Sequence, residues 1–144
     1  MNGKFWIALG AFSAALAVAL GAFGAHGLEK WVEENVSDPA EQVKKLENWQ
    51  TASRYQIWHA LGMILLGFAM LRFDSAMLKM SGSGFLVGTM LFSGVMYAYV
   101  LTGVKTLGMI LPLGGLAFMA AWCLFGIAVF RDHSDREKGQ DGNG

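Results

Sequence analysis

Four stretches of the chain contain no Asp, Glu, Lys or Arg, and each is long enough to cross a lipid bilayer. They are Phe5–Leu28, Tyr55–Leu71, Met80–Val104 and Thr106–Phe130. A hydrocarbon core of about 30 Å takes roughly 20 helical residues. Because a backbone in hydrocarbon must satisfy its own hydrogen bonds, an α-helix is favoured for each stretch. The sequence therefore predicts an all-α integral membrane four-helix bundle.

The composition leaves room for one membrane domain and little else. Of the 144 residues, 54% are hydrophobic and only 15% are charged. This predicts a single domain over residues 1–131, with spans at about 5–27, 52–72, 80–102 and 107–130, and a disordered polar tail at 132–144. The 11 basic and 11 acidic residues balance, which argues against a nucleic-acid partner. The predicted partner is the lipid bilayer.

The first stretch is interpreted as a retained helix, because its apolar run exceeds the roughly 7–15 residues of an export-signal core. A cleaved signal is the alternative. With four spans, both termini lie on the same side as the second connection. That side carries slightly more Lys and Arg residues than the other, and the positive-inside rule then predicts cytoplasmic termini.

Small residues indicate where helices approach each other closely. They occupy one face of the first helix and one face of the third, at Gly10, Ala14, Ala17 and Gly21 and at Gly84 and Gly88. Such small-xxx-small patterns allow close contact between membrane helices. The pattern does not specify the neighbour. The first helix packs either within the chain or against a second copy or another membrane protein.

The first connection is the only sizeable polar segment besides the tail. Its apolar residues recur at helical spacing, at Leu28, Trp31, Val32 and Val36, which predicts an amphipathic helix on the membrane surface. Asp38, Pro39 and Glu41 match an N-cap, a first-turn proline and a capping-box glutamate. A new helix is predicted to start there and to run into the second span. A solvated loop is the alternative for this connection.

Polar residues gather near the same end of the predicted bundle. They are His26, Gln50, Tyr55, Gln56, His59 and Tyr97. Such a cluster inside a membrane is either a ligand or proton site, or a set of helix caps and interhelical hydrogen bonds. Two histidines with no carboxylate or thiolate nearby do not complete a zinc or iron site, so no metal and no cofactor is predicted.

Two further positions constrain the last span. Pro112 either opens the fourth helix or kinks a longer one. Cys123 is the only cysteine and lies in an apolar run, which excludes an internal disulfide and favours a packing role.

Several motifs resemble those of a known family. They are Gly21–Leu28 (GAFGAHGL), Trp49–Ala52 (WQTA) with Tyr55, Gln56 and His59–Leu61, Leu91–Gly94 (LFSG) with Tyr97, Leu101–Gly103 (LTG) and Pro112–Phe118 (PLGGLAF). In this order they resemble the YgdD/YwdK family, known as domain of unknown function 423 and related to eukaryotic transmembrane protein 256. The resemblance implies a four-span protein of the bacterial inner membrane. It supplies no activity. Gly27 and Val95 depart from the family pattern.

The predicted function is a non-enzymatic structural or accessory component of the membrane. No span contains a carboxylate, and no nucleophile lies at a suggestive spacing from a base. A small transporter or channel subunit with a His/Gln/Tyr pocket is the alternative. A lipid or quinone site near Trp49, Tyr55 and His59 is a third possibility.

Overall fold

A computed structural model describes residues 2–141 of the chain, and the side chains of residues 2–132. The described residues form helices and contain no strand. The α-helices are α1 Gly3–Phe23, α2 Glu29–Asn35, α3 Pro39–Met70, α4 Ala76–Gly88, α5 Val95–Thr102 and α6 Leu111–Asp141. Two π-helical segments, Gly24–Leu28 and Thr89–Gly94, join α1 to α2 and α4 to α5. Four long helices result, which confirms the predicted all-α bundle.

Three of these long helices are apolar enough to cross a membrane by length and composition, namely Gly3–Asn35, Ala76–Thr102 and Lys105–Asp132. The remaining one, α3, is more polar because of the residues at the start of its predicted span. It nevertheless runs antiparallel along α1, with Gly10 beside the Ala60 carbonyl and Leu20 beside Trp49. Two helices in contact over this length cross the same thickness, so the bundle has four membrane helices. The limits of each span remain predictions.

The start of α3 follows from its capping residues. Asp38 is the N-cap, and its carboxylate accepts a hydrogen bond from the Ala40 amide at 3.0 Å, while Pro39 occupies the first turn. Proline suits this position because the first amides of a helix have no partner inside it. From there α3 continues without a break for 32 residues. The predicted helix that runs into the second span is confirmed, and the solvated-loop alternative is wrong for this part.

The first half of the connection is helical, as predicted, but its position differs. The π-helical segment carries α1 directly into α2, so α2 extends the first long helix and does not begin a separate one. Leu28 and Val32 are fully buried against Trp49 and Val100. The apolar side of α2 therefore packs on α3 and α5 of the same chain. Its position relative to the membrane surface stays a prediction.

The last span begins where the proline predicts. Pro112 is the second residue of α6, so it opens the helix and does not kink it. The helical backbone continues to Asp141, beyond the predicted start of the tail at 132. The remainder of the predicted tail, residues 142–144, lies outside the described residues.

The core forms between two antiparallel helix pairs, α1 with α3 and α4 with α6. Its largest buried side chains include Trp6, Met63, Leu66 and Phe85. Large apolar side chains also cover the outside, where Phe12 is 76% exposed and Phe130 is 74% exposed. A surface of this kind suits a protein whose solvent is hydrocarbon.

Candidate functional site

Three side chains of α3 form a ladder of hydrogen bonds to the backbone of α1. The Trp49 indole Nε1 donates to the Leu20 carbonyl at 2.7 Å. The Ser53 hydroxyl donates to the Ala17 carbonyl at 3.0 Å. The Gln56 Nε2 donates to the Ser13 carbonyl at 3.1 Å. Donors and acceptors both recur every three or four residues, so one face of each antiparallel helix supplies the whole ladder.

Gln56 also connects this ladder to the third long helix. Its Oε1 accepts a hydrogen bond from the Tyr97 hydroxyl of α5 at 3.1 Å, and the Gln56 side chain is only 4% exposed. The Tyr97 ring packs against Trp49, with ring centroids 4.6 Å apart. One glutamine thus joins three helices. The structure brings Gln56 and Tyr97 together, while their role as a ligand site stays a prediction.

His59 lies in an aromatic region next to this network. Its Nδ1 donates to the Tyr55 carbonyl one turn earlier at 2.6 Å, and its ring stacks on Phe118 with centroids 3.3 Å apart. Phe85 also contacts the imidazole. Tyr55 packs against Phe92 at a centroid distance of 4.7 Å. His59 therefore joins α3 to α6 through ring contacts.

Two residues of the predicted cluster lie apart from the network. His26 is exposed in the π-helical segment after α1, and Gln50 is exposed on α3. Gln50 follows Trp49 directly, so a turn of about 100° points it away from the face that meets α1. These two residues therefore lie outside the hydrogen-bond network, and the role of the six residues as a functional cluster stays a prediction.

The small residues of α1 face α3 of the same chain. A Cβ at Gly10 would lie 2.6 Å from the Ala60 carbonyl oxygen, and a Cβ at Gly21 would lie 3.0 Å from the Ser53 hydroxyl. Ala17 is buried at the same interface, and Ala14 packs against the core. The groove is therefore filled within the chain. A contact of this chain with a second copy or another membrane protein stays a prediction.

The small residues of α4 serve the α4–α6 pair in the same way. A Cβ at Gly84 would lie 3.0 Å from the Cβ of Ala121, and one at Gly88 would lie 2.5 Å from the Phe118 ring. Ser81, fully buried, donates to the Ala121 carbonyl at 2.7 Å. Close packing and a side-chain hydrogen bond again occur together.

Two concave regions lie along the side of the bundle where α1 and α4 face each other. The first, which we call the lateral groove, has a volume of 290 Å³. It is lined by Leu9, Phe12, Ser13 and Leu16 of α1, Gln56 and Met63 of α3, and Leu86, Thr89 and Met90 of the third long helix.

The second region, which we call the surface pocket, lies at the end of the bundle near the N terminus. It has a volume of 540 Å³ and is lined by Asn2, Gly3, Met70, Leu71, Asp74 and Lys79. Lys79 Nζ lies 2.8 Å from Asp74 Oδ1. The hydrogen bond from Lys79 and its positive charge lower the pKa of the Asp74 carboxyl, which favours the ionised carboxylate.

Comparison with known proteins identifies the family. Residues 20–115 match the family described as a protein of unknown function, DUF423. The chain belongs to this family. It is 38% identical over 130 residues to the UPF0382 membrane protein YwdK of Bacillus subtilis strain 168, covering 89% of this chain and 98% of the relative. A UPF0382 membrane protein of Staphylococcus aureus strain bovine RF122 is 35% identical, with coverage of 89% and 97%. No solved structure matches the chain.

Family membership confirms the resemblance seen in the motifs. The relatives are named as membrane proteins, in agreement with the apolar helices of the structure. Their names state no activity. The geometry of this chain therefore carries the functional argument.

Lys45 is an interior residue that the sequence did not single out. It is only 8% exposed, and its ammonium group donates to the Val100 carbonyl at 2.7 Å. That carbonyl belongs to the last turn of α5, where helix carbonyls lack partners and a cation is favoured. The sequence feature that could have identified Lys45 as an interior residue is its position four residues before Trp49, on the same face of α3.

Two buried polar atoms have no hydrogen-bond partner among the described residues, Trp6 Nε1 and Ser93 Oγ. The described residues also contain no group of three or more His, Cys, Asp or Glu side chains that could hold a metal ion. Apart from these two atoms and His59, which bonds within α3, the buried polar side chains of the described residues bond to other helices.

Proposed function

We propose that the chain is a non-enzymatic structural or accessory component of the bacterial inner membrane. The main support is the ladder in which Trp49, Ser53 and Gln56 all donate to carbonyls of α1. A side chain that fastens two helices in this way is poorly placed to act as a nucleophile or a general base, since either role needs a group free to meet a substrate.

An accessory role would use the outside of the bundle. The grooves of α1 and α4 are already filled by α3 and α6. A partner protein would therefore meet the exposed apolar surface, which includes Phe12 and Phe130. In such a complex the bundle acts as one rigid unit. Side chains of α3 bond to the backbone of α1, and α4 packs closely on α6.

The transporter or channel alternative depends on the same polar residues. Its pocket would need Gln56, Tyr97 and His59 to be available to a solute. Instead, Gln56 and Tyr97 bond to each other, and His59 bonds to its own helix and stacks on Phe118. These contacts favour the structural role.

Replacing Tyr97 with phenylalanine separates the two functions. The change removes the hydroxyl that bonds to Gln56 and keeps the ring that packs on Trp49. We expect the free energy of unfolding in detergent to fall by about 0.5–1.5 kcal/mol, the usual value of one such bond. Proton and potassium leak through reconstituted liposomes should stay at the level of protein-free liposomes.

His59→Phe is the companion variant for this measurement, because it keeps an aromatic ring against Phe118. A wild-type leak above that of empty liposomes, abolished by Tyr97→Phe or His59→Phe, would replace the structural proposal with transport. Equal leak in all samples supports the structural role.

The proposed orientation places both termini in the cytoplasm. The small excess of Lys and Arg on the terminal side supports it. Cys123→Ser gives a cysteine-free chain, into which Glu34→Cys or Arg72→Cys can be introduced. A membrane-impermeant maleimide should label the first variant in intact cells and the second only after lysis. The opposite pattern would reverse the orientation.

A further inference from the structure

The side of the bundle between α1 and α4 is an open seam over part of its length. Among the described residues, these two helices make at most marginal backbone contact, because α1 packs on α3 and α4 packs on α6. The lateral groove lies in this seam. Phe12 and Met90 line it and are 76% and 60% exposed, so its mouth opens at the outer surface of the bundle. In a membrane this surface meets hydrocarbon.

The groove and the surface pocket lie in line along the seam. Asn2 and Lys79 line the pocket, while Leu9 and Leu86, each seven residues further on, line the groove. Because α1 and α4 run in the same direction, the groove begins about 10 Å deeper than the pocket, at about 1.5 Å per residue. One leaflet of hydrocarbon is about 15 Å thick. A chain that descends from the pocket therefore reaches the groove before the centre of the bilayer.

The lining of the groove suits a hydrocarbon chain better than a polar solute. The amide group of Gln56 is already hydrogen-bonded to Ser13 and Tyr97. The Thr89 hydroxyl donates to the Phe85 carbonyl at 2.8 Å. What remains is mainly apolar surface. An unfilled groove loses dispersion contacts along its walls, so an acyl chain that enters it is favoured.

An exposed aromatic ring lies at the depth between the two regions. Phe5 is 43% exposed and packs edge-on against the buried Trp6, with ring centroids 5.4 Å apart. Phe5 is three residues after Asn2 and four before Leu9, so it lies at the intermediate depth. A chain passing from pocket to groove can therefore pack against this phenyl ring.

The surface pocket offers a positive and a negative group side by side. A headgroup that carries both a phosphate and an ammonium can pair its phosphate with Lys79 and its ammonium with Asp74. A headgroup with only a negative charge would face repulsion from the Asp74 carboxylate. Charge complementarity therefore favours a zwitterionic headgroup.

We propose that one phospholipid with a phosphoethanolamine headgroup binds along this seam. Its phosphate lies at Lys79, its ammonium lies at Asp74, and one acyl chain occupies the lateral groove. This inference is independent of the proposed structural role, because a structural protein and a transporter can both hold such a lipid.

Native mass spectrometry of the delipidated full chain tests the proposal, with phosphatidylethanolamine or phosphatidylglycerol added at equal concentration. We expect one bound phosphatidylethanolamine, held about tenfold more tightly than phosphatidylglycerol, which corresponds to about 1.4 kcal/mol. Asp74→Asn should remove most of this preference by improving phosphatidylglycerol binding. Thr89→Phe should fill the groove and weaken both lipids about tenfold.

Met119→Phe is the control, because Met119 is exposed on α6 and lines neither region. It should bind like the wild type. Equal affinity of the wild type for both lipids would overturn the proposal. Binding of many lipid molecules per chain without saturation would also overturn it. So would wild-type affinity in a folded Thr89→Phe variant. If Thr89→Phe does not fold, Asp74→Asn decides, since its side chain is 77% exposed and its replacement leaves the packing intact.

Discussion

Replacing Gly10 with alanine is expected to destabilise the bundle by about 3 kcal/mol, through overpacking and lost interhelical hydrogen bonds. A Cβ at this position would lie 2.6 Å from the Ala60 carbonyl oxygen and 2.7 Å from Ile64 Cγ1. The first of these is a backbone atom, so α1 itself must move away from α3. That movement stretches the neighbouring bond between Gln56 and Ser13. Unfolding by SDS titration, followed by circular dichroism, measures the loss.

Gly126→Ala provides the matched control, because a Cβ there meets nothing within 4 Å. Gly126 lies in the middle of α6, where alanine is favoured over glycine by about 0.5–1 kcal/mol. We therefore expect this variant to be at least as stable as the wild type. Equal unfolding midpoints for the two alanine variants would show that α1 and α3 do not approach as closely as described.

Much of this packing follows from local sequence patterns. The Gly and Ala spacing on α1 identified the face that contacts another helix, and Asp38 with Pro39 identified the start of α3. Each signal works because it depends on residues within one or two turns. The neighbour of the α1 face was not predictable in the same way. Its choice depends on the antiparallel register of α3, which residues far apart in sequence determine together.

The polar network could also be predicted only in part from local sequence patterns. Helical spacing placed Gln56 and His59 inside the bundle, but the acceptors of the ladder are backbone carbonyls, which have no sequence signature. Lys45 was missed for this reason, because its partner is the Val100 carbonyl. His26 was assigned to the cluster by its level in the membrane, and depth alone does not determine the direction in which a side chain points.

Replacing Trp6 with alanine should be as damaging as any single change in the chain. The Trp6 side chain is fully buried and bridges α1 to α4, and a Cβ at Gly82 would lie 2.6 Å from its ring. Removing a buried tryptophan side chain costs about 3–5 kcal/mol, because the cavity collapses only in part. Trp6→Phe should cost less than about 1.5 kcal/mol, since it keeps most of the volume and removes an indole N–H that has no partner among the described residues. SDS unfolding of both variants checks this difference, and equal losses would contradict it.

A double substitution tests whether Trp6 and Gly82 are matched in shape. Gly82→Leu alone should destabilise the bundle, because its side chain would enter the space that the indole occupies. In Trp6→Ala the same leucine fills part of the cavity. The combined loss should therefore be smaller than the sum of the single losses by about 0.5–3 kcal/mol, the usual coupling between contacting residues. Strict additivity would mean that the two residues do not touch. Trp6 would then not connect α1 to α4 as the structure describes.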